Sequence, residues 1–337
     1  MNLRQRVRWI DFSKAICIYF VVLAHSLSHT DVNEYTFRSF ITIFVLPLFF
    51  FVSGYLYRIK ENEKSIIFYI ISNIKSLIIP YIFLNIIAVC LSFPSFIHHA
   101  KSSLYYFLIG HGYAPAGAAW FLLCLFWIKM QMFWVSRLDE RIQLLIAFIY
   151  CLLAYYFPWH LYWDIDASFM AMPIFIIGYL TKKHFSELIN KPYSLWLLCG
   201  LFLITLFATF YLSLIQHIES MFSRIFGTYG VLFYIGALTG IVMIVSLCKL
   251  LDGVFPDMGG GNKVVSVLSS GSIIIMGLHL VFYRYTLAIL NKFSILTKSE
   301  LNIPFKVIIC LIVLAEMYFP IIILQKYCSQ FLGGRKS

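Results

Sequence analysis

His25 interrupts an apolar run from Ala15 to Leu27, where an ionisable group marks either a functional site or a structural hydrogen bond between helices. Arg8, Asp11 and Lys14 stand at the opposite end of the same segment. On a helix turning about 100° per residue, the steps from Lys14 to His25 return to within roughly 20° of one face, and Asp11 falls close to it. At 1.5 Å rise per residue the lysine and the histidine are about 16 Å apart along the axis. They cannot touch each other, but they can touch two ends of one long ligand. An ammonium suits an anionic group, and a neutral imidazole, with a reference pKa near 6.5, suits proton transfer.

A second constellation runs from Leu46 to Arg58, where Pro47 and a run of aromatics precede Ser53, Gly54 and Tyr55. Proline frees a carbonyl one turn earlier, and glycine lets a backbone or ligand approach closely, so an irregular helix is expected beside something. A small-residue packing notch between helices explains the Ser-Gly pair equally well. Further along, His279 lies mid-way through an apolar stretch with Tyr283 and Arg284 just beyond it. It suits an acceptor contact or a structural hydrogen bond. Glu316 interrupts the apolar run Leu311 to Leu324 and is expected to pair with a histidine or arginine of the bundle. His98, His99 and His111 flank a Gly-Tyr-Ala-Pro loop, but no histidine or cysteine spacing suits a metal, and none is expected.

The elements that position these residues are transmembrane helices. Hydrophobic residues make up 61% of the chain and charged residues 12%, with a mean hydropathy of +0.86, which excludes a soluble globular protein. Apolar stretches run Phe12 to Leu27, Phe37 to Tyr57, Leu77 to Phe96, Ala118 to Val135, Ile142 to Phe157, Ala167 to Leu180, Leu195 to Ile215, Tyr229 to Leu251, Val264 to Leu290 and Phe305 to Tyr327. Most approach the ~20 residues that a hydrocarbon core requires. The expectation is an all-α polytopic bundle of about ten spans. No connection is long enough for an independent core, so residues 1–337 form one membrane domain.

The net charge of +11 follows the membrane and not nucleic acid. With the N-terminus inside, most of the 26 Lys and Arg fall on the cytoplasmic side, including Arg58, Lys60, Lys64 and Lys75 after the second span. Both termini are therefore expected in the cytoplasm. The loop between the last two spans runs against the rule, with Arg284, Lys292, Lys298 and Lys306 on the outer side. The N-terminal basic stretch is read as the flank of a retained first helix, not as a signal peptide. The eight cysteines have no close pairs and suit apolar packing.

Arg8, Asp11, Lys14 and His25, the Pro47-Leu48-Phe49-Phe50-Phe51-Val52-Ser53-Gly54-Tyr55 run, Ile79-Pro80-Tyr81, Ala119-Trp120-Phe121-Leu122 and Gly277-Leu278-His279 together resemble the integral-membrane acyltransferase type 3 family. The resemblance covers nearly the whole chain and is nearest to the branch of fucose O-acetylase-like proteins, where lysine stands at the Lys14 position. It implies a bacterial cytoplasmic (inner) membrane enzyme that passes an acyl group, usually acetyl from acetyl-CoA, to a hydroxyl of a surface glycan or its lipid-linked precursor. In that scheme Lys14 and Arg8 hold the CoA phosphates and His25 meets the thioester, as base or as acyl acceptor. Asp11, His279 and Glu316 support the chemistry. Ser53, Gly54, Tyr55, Arg58 and Lys75 lie toward the donor, and Trp120 and Arg284 toward the acceptor. The chain lacks a clear Arg-x-x-Arg pair after the second span, which leaves open which cation meets the phosphates. Membrane lipid is the other expected partner, and the sequence carries no sign of an oligomeric state. A glycan flippase or transporter is the rival class, for which ten spans with scattered buried charges also suit.

Overall fold

A computed structural model describes residues 7–59, 65–217, 221–254, 260–293 and 302–333, without the side chains of 93–98 and 260–262. Lys60, Lys64, Lys298 and the His98 side chain therefore lie outside the described residues. Within hydrocarbon a backbone must satisfy its own polar groups, and the apolar runs do so as helices: no strand occurs among the described residues. In order these are α1 (Arg8–Ser26), α2 (Val32–Thr42), α3 (Val45–Tyr55), α4 (Ile66–Asn73), α5 (Ile79–Leu91), α6 (Phe93–Ile109), α7 (Trp120–Val135), α8 (Glu140–Tyr156), α9 (Ile165–Asn190), α10 (Leu195–Gln216), α11 (Gly230–Val254), α12 (Gly260–Ser270), α13 (Ser272–Lys292) and α14 (Ile303–Tyr327).

Nine segments among the described residues are long and apolar enough to cross a membrane, one fewer than the expected ten. The shortfall is α8, whose 17 residues span about 25 Å against a core of about 30 Å. It still runs beside α9 from Lys183 back to Asp166. Glu140 at its start pairs with Lys183 and His184 near the end of α9, and Arg224 joins Phe157, just past its end, to Asp166 at the start of α9. With α8 as the tenth pass, the start of α1 and the end of α14 lie at one end of the bundle. There Gln325 of α14 donates to Ser270 (3.2 Å), and the preceding Ser269 donates to Asp11 of α1 (2.6 Å).

Several boundaries depart from expectation for physical reasons. The second span starts at Val32 and is broken at Ile43–Phe44, four residues before Pro47, whose missing N–H leaves the Ile43 carbonyl without its helical partner. A π-turn over Ile74–Ile78 precedes Pro80 in the third span, so that this pass begins at Ile66, not Leu77. The Pro94 to Gly117 connection contains the 17-residue helix α6, kinked at His99 and closed by Gly110 in the left-handed region (φ +81°). The Val264 to Leu290 stretch divides at Gly271 into α12 and α13. A Cβ at Gly271 would come within 2.6 Å of the Ile321 side chain.

Candidate active site

His25 sits in the last turn of α1, where Ala24 and Leu27 are only 8% and 4% exposed while the imidazole itself is open. What it opens onto is a cavity of about 80 Å³ inside the bundle. The break in the second span shapes that space: Ile41 and Thr42 line it from α2, and Val45 and Leu46 from α3. Trp120, at the start of α7, and Met276 of α13 close other sides, and Met221 and Phe222 complete the wall.

Against His25 stands His279, with ring centroids 5.1 Å apart. His279 is fully buried, and its Nδ1 lies 2.8 Å from the Ile275 carbonyl and 3.1 Å from that of Met276. A nitrogen facing two carbonyls carries the proton, so Nε2 is left as the acceptor. That Nε2 is buried without a hydrogen-bond partner. A lone acceptor in such a place is costly and calls for an explanation, such as a donor that arrives with substrate.

The sequence did not single out Arg38, yet it lines the same cavity. Its Nε donates to the Ala24 carbonyl (3.2 Å), one of the terminal carbonyls that α1 cannot satisfy internally. One of its terminal nitrogens lies 2.6 Å from His29 Nδ1. One turn earlier on α2, Glu34 is buried and accepts from Lys306 of α14 (2.5 and 2.7 Å) and from the Ser28 amide (2.5 Å). This ion pair ties α2 to α14 and to the segment following α1, so Arg38 is held on a fixed helix. The signal was present as an arginine one residue inside an expected span.

From the cavity a series of rings leads away: Trp120 to Phe222 (5.6 Å), Phe222 to His111 (4.5 Å) and His111 to Tyr113 (4.9 Å). Tyr113 is 72% exposed. Burial lowers the pKa of His111, with His160 adding to the effect, so this ring is neutral at physiological pH. Arg224 holds the Phe222 segment in place through Asp166 (2.9 Å) and the Trp159 carbonyl (2.9 Å).

The remaining donor-side candidates lie away from the cavity, several of them at the other end of α1. Arg8 pairs with Asp252 (3.0 Å), Asp11 accepts from Ser269, and Lys14 is half-buried on the same stretch. Tyr55 packs edge-on against Trp9 (5.3 Å) with Lys182 over its ring (5.0 Å). Arg58 and Lys75 are exposed. Ser53 is half-buried, and Gly54 is taken up by packing: a Cβ there would lie 2.0 Å from the Phe175 carbonyl of α9, and one at Gly178 would lie 2.1 Å from that of Phe51. None of these residues lines the His25 cavity.

Two placements correct the sequence expectation. Glu316 accepts from Thr286 (2.8 Å), not from a histidine or arginine, and its residue lies exposed at the flank of the α14 face formed by Cys310, Val313, Met317 and Ile321. Arg284 is exposed as well, because five residues along α13 turn it about 140° away from His279.

A family model described as an acyltransferase domain matches residues 7–320. No curated protein and no solved structure matches the chain significantly.

Proposed function

We propose, from the premise that this chain belongs to the acyltransferase type 3 family, that it moves an acetyl or other short acyl group from cytoplasmic acyl-CoA to a hydroxyl of a cell-surface polysaccharide or lipid-linked glycan precursor. Its place is the bacterial cytoplasmic membrane and its branch that of the fucose O-acetylase-like proteins. The observation that carries the reading is the open His25 imidazole, set against a buried histidine whose Nε2 has no partner.

A sugar hydroxyl is a weak nucleophile at neutral pH and needs a base at its proton as it attacks a thioester carbonyl. His25 fills that role. One His25 nitrogen accepts the hydroxyl proton, while the unpartnered His279 Nε2 beside it is an acceptor for a donor that arrives with substrate. The hydroxyl oxygen bonds to the carbonyl carbon, the carbonyl electrons move onto oxygen, and Arg38 offers positive charge to that oxyanion. On collapse the carbon–sulfur bond breaks, and His25 returns its proton to the leaving thiolate. The products are an ester and free CoA thiol. Lys14 and Arg8 stand toward the donor's phosphates, and the Trp120 to Tyr113 rings offer apolar faces to a sugar.

Purified protein in detergent, given acetyl-CoA and acceptor glycan, should release CoA thiol at a rate that falls by about 10²–10⁴-fold in His25→Ala. Undiminished release by that variant would remove His25 from the chemistry. Glycan movement into sealed vesicles without thiol release would assign the protein to transport.

A further inference from the structure

Apart from the active-site cavity, an apolar hollow lies between α9, α10 and α11. Although α9 and α10 are joined by a turn of only a few residues, they splay apart from it, because α10 packs against α11 and α2 instead. The result is a wedge of about 500 Å³ floored by Leu238, Ile241 and Val245 of α11, with Phe51 of α3 reaching into it. Leu197, Leu201 and Val242 are 56%, 40% and 40% exposed along its rim.

Its narrow end is basic and its length is apolar. Lys249 closes the wedge at the α9–α10 turn, with its ammonium over the Tyr193 ring (4.9 Å) and donating to the Lys191 carbonyl (3.0 Å). From Lys249 to Leu238 the groove follows eleven residues of α11, about 16 Å. That is about half of a ~30 Å hydrocarbon core, the depth of one leaflet. The charge pattern puts this end with Lys182, Lys183 and Lys191 on the cytoplasmic side, where the leaflet carries anionic lipid.

We propose that the α9–α10–α11 wedge is a binding site for one anionic phospholipid of the cytoplasmic leaflet, with an acyl chain along the groove and the phosphate at Lys249. A cation at the mouth of an apolar slot one leaflet deep selects an amphiphile with a negative head over a neutral one. Because Phe51 lies in both the wedge and α3, an occupied groove braces the helix that supplies Val45 and Leu46 to the His25 cavity. The site stands independently of the acyl-transfer reading.

The test is native mass spectrometry of the full chain, delipidated in detergent and titrated separately with phosphatidylglycerol and phosphatidylcholine. Wild type should retain phosphatidylglycerol preferentially, and Lys249→Gln should weaken that retention about fivefold while leaving phosphatidylcholine unchanged. Val242→Trp, which fills the rim without altering charge, should reduce retention of both lipids. Equal retention of the two headgroups by wild type, or full phosphatidylglycerol retention in both variants, would overturn the proposal. If Lys249→Gln fails to fold, Val242→Trp and the wild-type headgroup preference still decide it.

Discussion

The two ends of α1 carry polar side chains of similar kind and put them to opposite structural use. At the N-terminal end Arg8 has Asp252 and Asp11 has Ser269, so charge is absorbed by contacts between helices. At the C-terminal end His25 opens onto a cavity, and the histidine packed beside it keeps an acceptor without a donor. Satisfied polar groups in a membrane bundle hold it together, whereas an unsatisfied one beside empty space is where an incoming ligand gains most. Under the acyl-transfer proposal, the difference separates the end that holds the bundle together from the end left open for chemistry.

Substitutions should divide along that line. The largest effect is expected at the cavity: His25→Asn should lower acyl transfer by about 10²–10⁴-fold while the thermal unfolding midpoint in detergent stays near wild type, because the imidazole opens onto the cavity. A large fall in the midpoint would make His25 a structural residue. Next, Lys306→Met leaves Glu34 buried without its cation and should destabilise the protein by about 3–5 kcal/mol, as read by denaturant or thermal unfolding. The double variant with Glu34→Gln should recover much of that loss. No recovery would show that the pair is not what secures α2.

At the N-terminal end the effects should be smaller and of another kind. Lys14→Gln removes a charge-assisted contact of about 1.5–3 kcal/mol and should raise KM for acetyl-CoA by about 10- to 100-fold with kcat less changed. An equal fall in kcat would place Lys14 in the chemistry. Gly54→Ala forces a methyl against the Phe175 carbonyl and should cost about 1–3 kcal/mol of stability with KM little altered. A KM effect without loss of stability would instead return Gly54 to ligand contact. Smallest, Ser269→Ala removes the hydroxyl on Asp11 and should cost about 1 kcal/mol or less.

What the sequence displayed was mostly what the bilayer demands. Spans of about 20 apolar residues, cations biased to one side and a histidine against that pattern are legible because hydrocarbon penalises every exception. Pro47 forecast the break at Ile43–Phe44 for a covalent reason, its missing N–H. Less visible was what depends on tertiary placement. Arg38 belongs to no sequence motif and Lys306 reads as an outer-loop cation, and only the meeting of α2 with α1 and α14 brings one to the His25 cavity and buries the other on Glu34. Glu316 read as deep and therefore central, yet depth along a helix does not fix its rotation, and a threonine one helix away accepts the role of partner. The α6 helix was hidden because its composition is mixed and its polar residues suggested a loop.

The most direct test of the acyl-transfer account uses acetyl-CoA labelled in the acetyl group, reconstituted protein and cell-envelope glycan, with label counted in the glycan by mass spectrometry. Wild type should esterify glycan hydroxyls, and folded His25→Asn should do so at least about a hundredfold more slowly. Labelling by His25→Asn at the wild-type rate would contradict the account.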